Sequence, residues 1–307
     1  MKQDYNSPPV ERINGPNNSI AVFTKLDRSE NLDAEVVKSF GKEWEKFSVH
    51  NEASVCELRK EYFDIIADNM VNKNTYMIDI GCGSGRWTEY FTDKAGFIEA
   101  VDPSDAVLVA DKMLGKKENV RITKASVDTI PWDDETFDFG MSIGVLHHIP
   151  NTRQALLDCV KKIRKGGYFY VYLYYRFDNR GILFKILFYI SNVLRIIISR
   201  LPVPLKKAVC DVLAVIVYWP LSRFAGLLNK MRMKKLANKI PLAAYANKPF
   251  YNMRNDCLDR FGTRLEKRFL RSEVEAMMTE AGLVDIRFGE DGAYWHAVGK
   301  KQESVFK

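Results

Sequence analysis

Met77-Ile78-Asp79-Ile80-Gly81-Cys82-Gly83-Ser84-Gly85-Arg86 decides the fold. An apolar run enters a carboxylate and then three glycines at alternate positions. The run reads as a buried strand, and its exit loop is nearly bare backbone that lets a ligand approach the main chain at a helix N-terminus. A second apolar run, Phe97–Val101, stops at Asp102, where a neighbouring strand ends. A carboxylate there accepts hydrogen bonds from ribose hydroxyls, so the pair of strands predicts a nucleoside-containing cofactor.

The glycine spacing narrows the choice. A dinucleotide loop needs Gly-x-Gly-x-x-Gly, and here the third glycine position is Arg86, with Gly85 one place early. Asp79 close to a pyrophosphate would set two anions together. It suits a ligand carrying a cation and no phosphate. S-adenosylmethionine is such a ligand: its ammonium can meet Asp79, its ribose Asp102, and its methionine part the loop of Gly81, Cys82, Gly83 and Gly85.

From this point the chain resembles the class I S-adenosylmethionine-dependent methyltransferases. The likeness continues through Ile130–Asp138, Ser142–Ile149, Lys165-Gly166-Gly167-Tyr168 and Arg271–Leu283. The resemblance implies a Rossmann-like, doubly wound α/β fold. Its sheet would be mostly parallel and seven-stranded, with a C-terminal antiparallel hairpin; where the family usually has a short connection after strand five, this chain carries a long helical insertion. It also implies cofactor contacts at Pro103, Ser126, Val127, Asp128 and Ile143. Ser126 stands where many relatives carry an aspartate for the adenine amino group, and Asp128 is the substitute.

Periodicity along the chain supports that order. Strands are expected near 75–80, 97–101, 119–123, 137–143 and 168–175, and helices near 53–71, 86–95, 103–114 and 152–165. Pro103 suits a first helical turn, Gly166 a helix stop and Ser272-x-x-Glu275 a capping box. Val284–Phe288 and Ala293–Val298 flank Asp291-Gly292 as a hairpin. Residues 1–33 are expected as a flexible tail, because the first 20 hold three prolines and four asparagines. Residues 34–74 form a helical cap, 75–175 the cofactor-binding core, 176–262 the insertion and 263–307 the rest of the core.

The 307 residues are 47% hydrophobic and carry a net +7. Between Arg180 and Lys239 there are 12 basic residues and one acid, Asp211; the remaining 34 basic and 38 acidic residues leave the rest at −4. The five cysteines include no Cys-x-x-Cys pair, which points to a reducing compartment and to no metal site. With no apolar leader at the N-terminus, the expected location is the cytoplasm.

The insertion carries the remaining information. Ile182–Ile198 is almost wholly apolar, with Lys185, Ser191, Asn192, Arg195 and Ser199 on about one third of the helical wheel. A second apolar stretch, Val212–Ser222, is broken by Pro220, and its 11 uncharged residues fall short of the ~20 that a spanning helix needs. A basic pair of helices lying on the inner, anionic face of a membrane fits this pattern. An ordinary lid, apolar side inward, is the alternative. Nucleic acid is the weakest partner class, because the cations alternate with aliphatics rather than with stacking aromatics.

For a methyl acceptor, lipid-linked or small, the chemistry is in-line transfer. His147, just past strand four, is the candidate general base, with His148 behind it. Tyr174 and Arg176 at the end of strand five, with Tyr251 and Arg254 further on, are candidate substrate contacts, and Trp44 and Phe47 candidate caps on the cofactor. Oxygen is the expected acceptor atom. The oligomeric state is left open.

Overall fold

The computed structural model describes residues 2–24, 31–44, 58–176, 181–290 and 294–303. The chain divides into two compact units, one of residues 1–176 with 267–307 and one of residues 177–266.

The first unit is built on nine strands: β1 (Glu11–Asn14), β2 (Ser19–Val22), β3 (Tyr76–Ile80), β4 (Phe97–Asp102), β5 (Val120–Lys124), β6 (Phe137–Ile143), β7 (Ile163–Tyr174), β8 (Leu283–Phe288) and β9 (Tyr294–Lys301). Their order across the sheet is β1-β2-β5-β4-β3-β6-β7-β9-β8. β5, β4, β3, β6 and β7 are parallel, while β9 and β8 close one edge antiparallel. This is the doubly wound arrangement with its C-terminal hairpin, enlarged from seven strands to nine; the hairpin's tip, Asp291-Gly292, lies outside the described residues. The strand period of two sets the layers. Ile78 and Ile80 face a cluster with Leu156 and Val160 of α4 (Thr152–Lys161) and Met278 of α10 (Arg271–Glu280). Met77 faces the other side, with Trp87 and Phe91 of α2 (Arg86–Thr92).

The two additional strands come from the segment expected as a tail. β1 pairs antiparallel with β2, and β2 continues the sheet parallel to β5. The asparagines that suggested disorder make the turn. Asn17 and Asn18 donate their backbone N–H groups to the buried carboxylate of Asp111 at 2.6 and 3.1 Å, and Asn18 Nδ2 adds a third bond at 2.7 Å. Asp111 sits on α3 (Ala106–Leu114), so the partner that orders this turn lies 93 residues away.

Other boundaries moved for local reasons. α1 (Ala34–Trp44) lies in the expected cap region. Of the helix expected over 53–71, residues 53–57 lie outside the described residues; it runs through 58–62, and turns then carry the chain through Phe63, Met70 and Val71 into the core. α3 begins at Ala106, because Ser104 Oγ accepts the Ala106 N–H at 3.2 Å. Gly166 does not stop a helix. It takes φ 76° inside β7, where the register with β6 shifts, and α4 has ended at Lys161. The last helix is capped by Glu273, which accepts the Leu270 N–H at 2.7 Å, and not by the Ser272/Glu275 pair.

The second unit is helical: α5 (Ile182–Ile198), α6 (Val203–Leu213), α7 (Trp219–Lys230), α8 (Lys234–Ala237) and α9 (Phe250–Gly262). Pro220 does not break the second apolar stretch. One widened turn, Ala214–Tyr218, joins α6 to α7, with the Trp219 N–H bonded back to the Ala214 carbonyl five residues earlier. That shift of register accommodates a residue with no N–H. The continuous helix Val203–Lys230 is, by length and composition, long and apolar enough to cross a membrane.

Candidate functional site

The glycine loop leaves β3 at the carboxyl edge of the sheet. Gly81, Gly83 and Gly85 all have positive φ, 82°, 54° and 83°. At Gly81 a Cβ would lie 2.3 Å from Val145 Cγ2, so only glycine lets the loop pass beneath the β6 exit. The N–H groups of Gly81 and Cys82 bond the Val101 carbonyl at 2.7 and 2.9 Å, and that of Gly85 bonds the Cys82 carbonyl at 2.9 Å. The Gly83 N–H bonds Asp102 Oδ2 at 3.0 Å. Most of the loop donors expected to meet a ligand are therefore spent in shaping the loop. What the loop offers is the Ser84 hydroxyl, which is buried without a hydrogen-bond partner among the described residues.

The two carboxylates differ in character. Asp79 is 2% exposed, and among the described residues Thr88 Oγ1 is its hydrogen-bond donor, at 2.6 Å. Burial, with Asp102 adding like charge, pushes its pKa up to about 7. A carboxylate so poorly compensated favours a cation beside it. Asp102 is also buried and its pKa is raised, but Ser104 N and Oγ reach Oδ1 at 2.8 and 2.6 Å. With Gly83, these donors fill three of its roughly four acceptor positions. One position is left for a sugar hydroxyl, and a second needs Ser104 Oγ to turn away.

The side where an adenine was expected is tied together by a residue that the sequence reading passed over. Thr24, just beyond β2, bonds the Ser126 hydroxyl at 3.0 Å and accepts the Ser126 N–H at 2.6 Å. Ser126 also bonds Thr129 and Asp128. Ser126 is thus committed to protein partners. Its effect is to orient Asp128, which is exposed and next to the half-buried Val127. Pro103 and Ile143 stand at the ends of β4 and β6. Past Ile143, a Cβ on Gly144 would meet nothing within 4 Å, so the β6 exit opens on free space.

His147 is fully buried, and among the described residues neither ring nitrogen has a hydrogen-bond partner. Its ring stacks on Tyr174 at 3.9 Å, with His148 at 4.2 Å on another side. Burial, then the charges of His148 and Arg268, hold its pKa well below the ordinary histidine value. It is a neutral imidazole near pH 7. Tyr174 also lies under the Arg268 guanidinium at 5.0 Å. Arg176 is exposed, pairs with Glu273 at 3.2 Å and bonds the Arg268 carbonyl. The rings of Tyr62, Trp87, Tyr172 and Tyr294 meet at 4.4–5.0 Å around the same strand ends, an aromatic wall invisible without the topology. Tyr251 and Arg254 belong to α9 in the other unit, where Arg254 is paired with Asp211 at 2.8 Å. The side chains of Trp44 and Phe47 lie outside the described residues.

The expected ligand fits these residues on two counts, both among the described residues: the unpartnered Ser84 hydroxyl and the Asp79 carboxylate with no cation beside it. Comparisons agree. Residues 78–171 match a family described as a methyltransferase domain. A sterol 4-C-methyltransferase of Caenorhabditis elegans is 28% identical over 106 residues, 33% of this chain and 32% of that protein. A ubiquinone biosynthesis O-methyltransferase of Coxiella burnetii is 22% identical over 104 residues, 33% of this chain and 44% of that protein. The chain thus spans under half the length of these two curated relatives. A solved S-adenosylmethionine-dependent methyltransferase from Aquifex aeolicus superposes with a TM-score of 0.45 at 14% identity, covering 82% of this chain and all of that one.

Proposed function

Because residues 78–171 are a class I S-adenosylmethionine-dependent methyltransferase domain, we propose that the whole chain methylates an oxygen of a lipophilic or lipid-linked acceptor at an anionic membrane surface. The acceptor would be a quinone precursor or a sugar on a lipid carrier. One observation carries this reading. Among the described residues, all exposed large hydrophobics except Val10 and Val284 fall in residues 177–266. Apolar surface on that scale marks an interaction site, and the same segment holds the positive excess of the chain. Each Lys or Arg near an anionic leaflet adds about 1 kcal/mol. The names of the two relatives point to apolar acceptors as well.

The bound cofactor supplies an activated methyl on a sulfonium. The residues of the chain would hold and align it, Asp79 at the ammonium, Asp102 at the ribose and Asp128 at the adenine edge. His147, deprotonated at neutral pH, takes the acceptor's proton once Tyr174 moves off its ring. A base whose pKa is pushed down by burial suits an acidic hydroxyl. A phenol therefore fits better than a sugar alcohol, and the aromatic wall gives a flat ring a surface to lie on.

The test is to incubate purified protein with membrane extract and methyl-labelled cofactor, then to partition the products. Label in the organic phase, lost on His147→Ala, is expected. Label confined to water-soluble metabolites or to RNA would overturn the reading.

A further inference from the structure

Residues 177–266 bury a small apolar core around Ile198, Tyr218, Met253 and Phe261, yet among the described residues they carry nearly all the exposed large hydrophobics. In α5 a charged side chain, Arg195, is buried beside the apolar Ile198. Arg195 is 6% exposed; its Nη1 donates to the carbonyls of Thr263 and Arg264 at 2.9 Å each, and its Nε to Asn192 Oδ1 at 2.9 Å. Arg260 of α9 joins the same interior through Ser191 Oγ at 3.0 Å and Glu266 at 3.1 Å. The outward side chains of α5 include Ile186, Ile190, Val193 and Ile197. The helix Val203–Lys230 repeats the theme. It buries Cys210, Ala214, Tyr218, Ser222, Ala225 and Leu228, and exposes Val212, Val215, Ile216, Trp219, Phe224 and Leu227. A helix in water does the opposite. Small residues between helices, polar groups bonded across them and aliphatics outside are the pattern of helices packed in lipid.

Two tethers decide how deep such a unit can lie. α5 starts six residues after Arg176, the last residue of the first unit before the insertion, and its Arg195 holds Thr263 and Arg264, three residues before Lys267, where the first unit resumes. Three extended residues reach about 11 Å, whereas the hydrocarbon core is ~30 Å thick. The end of α5 therefore cannot stand on the far side while the methyltransferase domain stays in water. The start of α6 is held the same way, because Lys206 Nζ bonds the Gly262 carbonyl at 3.1 Å. The segment Lys230–Lys239 carries five cations and no acid, interleaved with exposed Met231, Met233 and Leu236. That mixture suits the level of anionic headgroups.

We infer that residues 177–266 form a membrane domain embedded in one leaflet, its long helices parallel to the bilayer plane and its basic segment among the headgroups. This rests on the membrane reading above and goes further, because a surface-bound protein is held by charge and an embedded one is not.

The test uses the full chain with Cys56→Ser, Ile216→Cys labelled with an environment-sensitive fluorophore, and phosphatidylglycerol vesicles. The expected result is a several-fold rise in emission, quenched by brominated acyl chains and retained at about 1 M salt, where the Debye length is ~3 Å. Arg200→Cys and Lys230→Cys should both react with an impermeant maleimide added outside sealed vesicles. Binding that salt reverses would sink the embedding while leaving a surface enzyme. Reaction of either site only from the lumen would establish spanning and overturn the in-plane arrangement. No binding to vesicles, with the Ile216→Cys label shielded in a vesicle-free dimer, would overturn both membrane readings.

Discussion

Ile78 and Ile216 are the same side chain in opposite circumstances. Ile78 lies in β3 at 0% exposure between two layers of helix, whereas Ile216 lies on a helix at 62% exposure. The first unit hides its aliphatics and turns polar groups toward water or toward its site. The second turns aliphatics out and hides Arg195. Both units bury an apolar core, but the second leaves a broad apolar face exposed as well, and on the membrane reading proposed above the medium that face meets is the physical reason for the difference.

The sharpest way to break that comparison is one substitution made twice. Ile78→Asp places an unpaired charge in a packed core, and a loss of more than about 4 kcal/mol in urea unfolding is expected. Ile216→Asp should leave the melting temperature in water within about 1–2 °C of the parent, as surface changes do, and should weaken vesicle binding. Equal destabilisation by both would show that the exposed apolar face is covered by protein. Next in size is Arg195→Ala, which removes a buried cation and orphans two carbonyls; a loss of about 3 kcal/mol is expected, seen as faster hydrogen exchange confined to residues 177–266.

Asp79 probes the first unit. Its ionised form prefers the ammonium of the cofactor, so S-adenosylmethionine affinity by titration calorimetry should rise with pH up to about 7 and level off above. Asp79→Asn should flatten this dependence and weaken binding about 10–100-fold. Because its folded pKa lies above the ordinary 3.8, the folded chain holds that proton more tightly than the unfolded chain does. Unliganded stability should therefore fall as pH rises from about 4 to 7, and Asp79→Asn should make the slope shallower, leaving the share of Asp102, whose pKa is also raised. The smallest effect is expected at Glu273→Ala, where losing one helix-start bond costs about 1 kcal/mol in thermal melts.

Asp79, the three glycines and Asp102 were legible because each acts through backbone geometry or chemistry within a few residues of its own strand end. The order of strands was legible for the same reason. Thr24 was not, because nothing in Ala21–Lys25 signals that it will meet Ser126, 102 residues away. The aromatic wall was not, because Tyr62, Trp87, Tyr172 and Tyr294 come from four segments brought together by the sheet.

By itself the sequence determined the cofactor loop, the parallel core and the presence of two amphipathic, cationic helices, since periods of two and 3.6 residues and glycine conformations are local properties. Tertiary structure alone decided which face of those helices turns inward, that Pro220 is absorbed by a widened turn, and that the N-terminal asparagines close a hairpin on Asp111. Each of these depends on a partner far along the chain, and no local pattern of side chains contains it.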